Sequence, residues 1–124
     1  MNEAVIDASA ALGAVDGSFQ PSQYSLFYAP GFIDLEVCSA LRCNVFRQRT
    51  TLVEAETHLT LFRNLPIERL EHEQLLSRIW SLRDNLTPYD AAYVALAEQL
   101  DVPLLTHDSR IAGSSGHKAQ IIVV

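Results

Sequence analysis

The sequence predicts an α/β domain of three layers, a central, mainly parallel sheet of four or five strands with helices on both faces. Three observations predict it. Short β-prone runs alternate with helical stretches along the whole chain, the order expected of repeated βα units. The candidate strands are apolar throughout rather than alternating, as strands covered on both faces are. A length of 124 residues, 48% of them hydrophobic, suits one core, so a single domain over residues 1–124 is expected.

The elements follow in order. Residues 3–6, Glu3-Ala4-Val5-Ile6, are a β-prone run that stops at Asp7. Residues 8–15 are rich in Ala and Leu and read as a helix ending near Gly17. Residues 16–25 hold Gly, Ser, Pro and Gln without periodicity and read as a loop. A second strand covers 25–29 and is stopped by Pro30-Gly31. A helix follows over 32–49, with Phe32, Leu35, Ser39, Cys43 and Phe46 spaced for one face. The next helix covers 52–63, its stripe of Leu52, Ala55, Leu59 and Phe62 reading as core. A brief strand is expected in 65–70. Residues 73–82 are amphipathic through Leu76, Ile79, Trp80 and Leu82, and Trp80 is expected in the core. Thr87-Pro88 opens the clearest helix, 89–100, and strands are expected at 103–106 and 120–124.

Composition excludes several classes. No basic flank precedes an apolar run at Met1-Asn2-Glu3, and no apolar stretch nears the roughly 18 residues that span a bilayer. A soluble, cytoplasmic protein without a membrane partner is expected. Cys38 and Cys43 lie five apart, outside any C-x-x-C arrangement, and read as buried or half-buried free thiols. His58, His72, His107 and His117 share no metal-binding spacing and read as surface residues. Gly-rich phosphate loops and Gly-x-Ser-x-Gly elbows are absent from the sequence. The net charge of −6 opposes phosphate binding, but acids committed to divalent ions would offset much of it. Eight of the nine basic residues are Arg, the better phosphate ligand, and the sole lysine is Lys118.

Four acids stand where such a sheet binds ligands, at the carboxyl ends of strands. Asp7 follows the first strand, Glu36 opens the helix after the second, Asp90 lies three residues after Thr87, and Asp108 follows the strand that ends at Thr106. Taken singly, each has a plainer role: Asp7 as a helix cap, Glu36 as a solvated helix residue, Asp90 in helix initiation, Asp108 as a turn or cap. Taken together, all four reach one edge of a parallel sheet. Four clustered carboxylates repel, and a hard divalent cation relieves that repulsion. With oxygen donors alone, Mg²⁺ or Mn²⁺ is favoured over zinc, and such a site suits phosphodiester hydrolysis.

Several blocks resemble PIN domains. Val5-Ile6-Asp7-Ala8-Ser9-Ala10 is similar to their opening, and Tyr28-Ala29-Pro30-Gly31-Phe32-Ile33-Asp34-Leu35-Glu36-Val37 to their second block. Leu65-Pro66-Ile67-Glu68-Arg69 and Leu82-Arg83-Asp84-Asn85-Leu86-Thr87-Pro88-Tyr89-Asp90-Ala91-Ala92-Tyr93 resemble the VapC toxin branch. Val102-Pro103-Leu104-Leu105-Thr106-His107-Asp108 resembles the last acidic block. The resemblance covers nearly the whole chain, with the blocks in family order.

It implies a PIN-like fold and a Mg²⁺-dependent endoribonuclease, with Mn²⁺ as a substitute, that cuts RNA to leave a 5′-phosphate and a 3′-hydroxyl. Asp7, Glu36, Asp90 and Asp108 carry over as the metal-binding and catalytic acids. Ser9 and Thr106 carry over as hydroxyls that orient carboxylates. Arg83 and His107 become candidates for RNA contact, Arg83 having a surface ion pair as its plainer role. The implied partners are a VapB-like antitoxin, RNA and a second copy in a homodimer. Part of the Leu52, Leu59 and Phe62 stripe is a candidate seat for an antitoxin helix. The segment between Asp7 and Glu36 is shorter than the branch usually has, which bears on partner and substrate choice. Two other readings use the same residues: a non-catalytic module that binds RNA or a protein partner, and phosphotransfer through Asp7 as nucleophile, for which Lys118 is poorly placed.

Overall fold

A computed structural model describes residues 2–124, and Met1 of the expected domain lies outside them. The elements are β1 (Asn2–Ile6), α1 (Ala8–Asp16), β2 (Tyr24–Pro30), α2 (Ile33–Phe46), α3 (Leu52–Arg63), β3 (Ile67–Leu70), α4 (Leu76–Ser81), α5 (Pro88–Leu100), β4 (Leu104–Thr106), α6 (Ser109–Ala112) and β5 (Ile121–Val123). Single 3₁₀ turns, Pro21–Gln23 and Glu73–Leu75, lead into β2 and α4. The α/β alternation is the expected one, and the sheet has five strands, all paired in parallel.

Strand order is β3-β2-β1-β4-β5. The chain therefore builds outward from β1 through β2 to β3, then returns to lay β4 and β5 on the other side of β1. This reversal opens a crevice beyond the carboxyl ends of β1 and β4, the place where open parallel sheets bind ligands. Val5 is in register with both Tyr28 and Leu104, so β1 is the central strand. Ala4, Val5, Ile6, Leu104 and Leu105 are fully buried, which accounts for their unbroken apolar run.

Helices α1, α2 and α3 pack on one another, while α5 packs on α4 and on β1, β2 and β4. In α5 every residue from Ala91 to Ala97 is buried, so this helix is apolar all round, as an interior helix is. The Thr87 hydroxyl accepts the Asp90 N–H at 3.2 Å and Pro88 fills the first helical position, a start signal legible in the sequence. Helix α1 ends at Gly17, whose φ of 89° is left-handed and suits glycine.

Three expectations about helix faces are corrected. The buried side of α2 is Ile33, Val37 and Leu41, an i, i+4 row beside the expected one. Leu35 and Phe46 are 74% and 68% exposed. In α3, Ala55 and Phe62 are buried as expected, but Leu52 faces solvent. Trp80 is 69% exposed, while Ile79 and Leu82 enter the core. The 3₁₀ turn ahead of the short α4 breaks the helical phase on which the stripe through Trp80 was read. Both cysteines are free, Cys43 half-buried as expected and Cys38 exposed. Of the expected 16–25 loop, Asp16 belongs to α1 and Tyr24 and Ser25 to β2; the stretch between is a loop with one 3₁₀ turn, and buried Phe19 packs against Tyr24, 6.2 Å between ring centroids.

Phe27 is fully buried at the centre of the sheet, so Phe27→Ala should lower stability by about 3–5 kcal/mol. Trp80→Ala should cost less than about 1 kcal/mol, the scale of exposed positions. Urea unfolding of both variants checks the assignment, and equal losses would contradict it.

Candidate active site at the carboxyl ends of the strands

Asp7 leaves β1 at the strand reversal and is only 6% exposed. It caps α1 by accepting the Ala10 N–H at 2.9 Å, so its plainer role is real. The same carboxylate accepts the Ser9 hydroxyl at 2.7 Å on Oδ1 and the Thr106 hydroxyl on Oδ2. Both hydroxyl protons are thereby committed to Asp7. The 3.3 Å approach of the Ser9 and Thr106 oxygens is then a contact without a proton to share. Ser9 Oγ in turn accepts the His107 N–H at 2.9 Å, and Thr106 Oγ1 accepts the Asp108 N–H at 3.0 Å. Two hydroxyls thus lock the ends of β1 and β4 together and hold Asp7 in one orientation.

Glu36 and Asp90 approach Asp7 from the flanking helices. Both are half-buried, and both titrate above the ordinary carboxylate range. For Glu36 burial is the main cause, with the charges of Asp90 and Asp7 adding to it and a hydrogen bond from Tyr93 opposing. For Asp90 burial again leads, followed by the charge of Asp108, with Asp7 adding further. The acids therefore sit within range of one another's charge, as clustering at one sheet edge requires. Tyr93, 1% exposed, donates its hydroxyl to Glu36 Oε1 at 2.6 Å. Burial and that bond push the phenol far above its usual range, so it remains a donor at any physiological pH. Asp34, two residues from Glu36, points elsewhere and pairs with Arg69 at 2.8 Å, tying α2 to β3.

Asp108 has a different environment. It caps α6 by accepting the Arg110 N–H at 2.9 Å. The Arg110 guanidinium grips it through Nε–Oδ1 at 3.0 Å and Nη2–Oδ2 at 2.7 Å. That bidentate pair holds the Asp108 carboxyl below its usual range. Arg110 also acts against the rise at Asp90 and lines a cleft with Asp90, Asp108, Thr87 and Asn85. Tyr93 and Arg110 were not singled out from sequence. Their signals were spacing: Tyr93 is one helical turn after Asp90, and Arg110 is two residues beyond Asp108.

Among the described residues, no three His, Cys, Asp or Glu side chains stand close enough to cage a metal ion as they lie. Three of the four acids have an anchor of their own: Asp7 in the hydroxyls, Glu36 on Tyr93, Asp108 on Arg110. The donor set nevertheless fits a hard divalent cation. It contains only carboxylate oxygens, and the charges of Asp7, Asp90 and Asp108 bear on Glu36 and Asp90.

The remaining candidates are placed as follows. Arg83 lies over the exposed Trp80 ring, 4.9 Å from its centroid, and donates to the Trp80 carbonyl at 3.0 Å, without the ion pair that was its plainer role. The His107 ring rests against Gly13 of α1 and shares a hydrogen bond with Ser18 Oγ at 3.1 Å. Any Cβ at position 13 would meet that ring at 2.3 Å, so glycine here admits the histidine. His72 and His107 are exposed as expected, and His58 and His117 are half-buried.

Residues 4–113 match the family described as PIN domain. The chain is 39% identical to Ribonuclease VapC1 of Mycobacterium tuberculosis across 100% of its own length and 99% of that protein's. Ribonuclease VapC12 of the same organism is 42% identical, over 78% of this chain and 75% of that protein. Among solved structures, PAE2754 from Pyrobaculum aerophilum superimposes with a TM-score of 0.79 at 23% identity, covering 98% of this chain and 84% of that one. VapBC2 from Rickettsia felis, solved bound to a DNA fragment from their promoter, has a TM-score of 0.66 at 8% identity, covering 96% and 98%. The two structures share the fold.

Thr106→Val keeps the shape of the side chain but leaves Asp7 Oδ2 and the Asp108 N–H without their partner. It should cost about 1–3 kcal/mol at pH 7, measured by chemical unfolding. Glu36 should show the opposite effect in metal-free protein. Its folded pKa lies above the ordinary 4.5, so the folded state binds more protons and stability falls as pH rises through that interval. Glu36→Gln should therefore raise Tm at pH 7–8, and the gain should vanish below about pH 4, where both states are protonated. A gain that persists at pH 3 would contradict the charge origin.

Proposed function

The chain belongs to the PIN-domain family, in its VapC ribonuclease branch, and on that premise we propose that it is a metal-dependent endoribonuclease, the toxin of a VapBC pair. The observation that carries the reading is the placement of Asp7, Glu36, Asp90 and Asp108 at the strand reversal, where the charges of Asp7, Asp90 and Asp108 bear on Glu36 and Asp90.

These four acids would hold the cation, Mg²⁺ or in its place Mn²⁺. When bound, such an ion supplies an activated water and charge stabilisation at the scissile phosphate. The protein's own groups do the positioning. Ser9 and Thr106 fix the orientation of Asp7, and Tyr93 fixes that of Glu36 through a bond to a residue of another helix. Arg110 neutralises Asp108 while no other cation is present, and its side chain, 88% exposed, is free to turn toward a phosphate once Asp108 is claimed. Four side chains, Ser9, Thr106, Tyr93 and Arg110, thus stand ready around one edge of the sheet.

The antitoxin and dimer belong to the same reading. An apolar groove of about 260 Å³ between α2 and α3, lined by Leu41, Val45, Phe46, Leu52 and Leu59, supports an amphipathic antitoxin segment as partner. The exposure of Phe46 and Leu52 that departs from the sequence reading gives this groove its rim. A homodimer is proposed with it, to be read from the mass of the purified protein. Among the described residues, no helix is long and apolar enough to cross a membrane.

Purified protein incubated with total RNA should cleave it in Mg²⁺ and stop in EDTA. Asp7→Asn and Asp90→Asn should each lose at least about a hundredfold in rate, more than the loss of a supporting hydrogen bond costs. Cleavage that survives both substitutions, or ignores EDTA, would remove this mechanism, and an absence of cleavage in Mg²⁺ would leave the non-catalytic module as the better reading.

A further inference from the structure

We propose that Phe32, His72 and Tyr89 form a stacking site for an unpaired nucleobase of the RNA substrate, next to the four acids; the proposal rests on the ribonuclease reading above. Phe32, at the entrance to α2, is the hub. Its ring centroid lies 5.7 Å from that of His72, 5.5 Å from Tyr89 and 5.5 Å from Tyr93, with interplanar angles of 65°, 88° and 81°. Tyr93 is the ring whose hydroxyl holds Glu36, so the cluster reaches the acid site through a single side chain. Tyr89 directly precedes Asp90 in α5.

Two of these rings are left wet. Tyr89 is 59% exposed and His72 is exposed, although aromatic rings already packed edge-on to a core residue gain by further burial. Phe32 and His72, with Gly31, Arg69, Glu71 and Glu73, line a cleft of about 570 Å³, a size that suits a small flat ligand, and Tyr89 adjoins it only through its packing on Phe32. Gly31 presents no side chain, and the space above its backbone is open.

The charge of this lining selects the ligand. Arg69 is already paired with Asp34 at 2.8 Å, which leaves Glu71 and Glu73 uncompensated. A phosphate or an acidic peptide would be repelled, whereas a neutral planar base would not. The phosphates of the same strand would then fall toward the acids and their cation. An aliphatic antitoxin helix finds a better seat in the separate α2–α3 groove. Stacking on aromatic faces accepts every base, so the site would favour unpaired RNA over paired RNA without reading sequence.

The test uses the full chain in EDTA with two fluorescent hexamers of equal charge, a single-stranded RNA and its abasic ribose-phosphate counterpart. Their affinity ratio cancels the electrostatics common to both. Wild type should bind the base-bearing strand about tenfold more tightly. Tyr89→Ala and His72→Ala should each erase most of that ratio, and Tyr89→Trp should keep it. A wild-type ratio near one, or an unchanged ratio in Tyr89→Ala, overturns the stacking site. So does a Tyr89→Ala variant that keeps the ratio but loses a co-expressed VapB-like antitoxin, which would make the rings a protein contact. Mg²⁺-dependent cleavage by wild type, followed in parallel, separates the two readings: cleavage with unchanged ratios sinks only the stacking site, and absence of cleavage sinks the ribonuclease reading.

Discussion

The structure depends on a concentration of negative charge at the one place where the sheet reverses its winding. Parallel strands end on the same side, so residues just past β1 and β4 become neighbours although about a hundred positions separate Asp7 from Thr106 and Asp108. Helices α2 and α5 add Glu36 and Asp90 from the flanks. A fold that only needed stability would not bring four carboxylates together, because each raises the cost of ionising the next. In the proposed reading a divalent cation would offset that cost, and the rest of the site orients the acids that would hold it.

Three of the four acids are held, each by a different means. Asp7 is immobilised by two hydroxyls and a backbone amide, all donors. Glu36 is held by a buried phenol that cannot ionise near neutral pH. Asp108 is held by a guanidinium on an otherwise solvated side chain. The first two anchors can persist when a cation binds, since they leave other carboxylate lone pairs free. The third competes with it, because Arg110 and a cation would seek the same two oxygens. In the proposed reading, Asp7 and Glu36 would meet a cation as they stand, and Asp108 would first have to leave Arg110.

The fold's outline was legible because it rests on local chemistry. Thr87-Pro88 starts α5, Gly17 ends α1, and the apolar runs of β1 and β4 announce a covered sheet. The helix faces were harder. Helix α2 carries two apolar rows, Ile33-Val37-Leu41 and one through Leu35 and Phe46, and its own sequence does not say which meets the core. Trp80 misled because bulk and hydrophobicity argue for burial, while a break in helical phase before α4 turned it outward.

What the sequence alone determined is the set of acids, their positions relative to strands and helix starts, and the alternation that makes a parallel sheet. These follow from backbone propensity and hydrogen-bond capping, which act within a few residues. What only the tertiary structure decided is which groups answer each charge. Tyr93 on Glu36, Thr106 on Asp7 and the cluster around Phe32 all join residues far apart in the chain. Such pairings depend on how strands are ordered and helices rotated, and no short stretch of sequence carries that information.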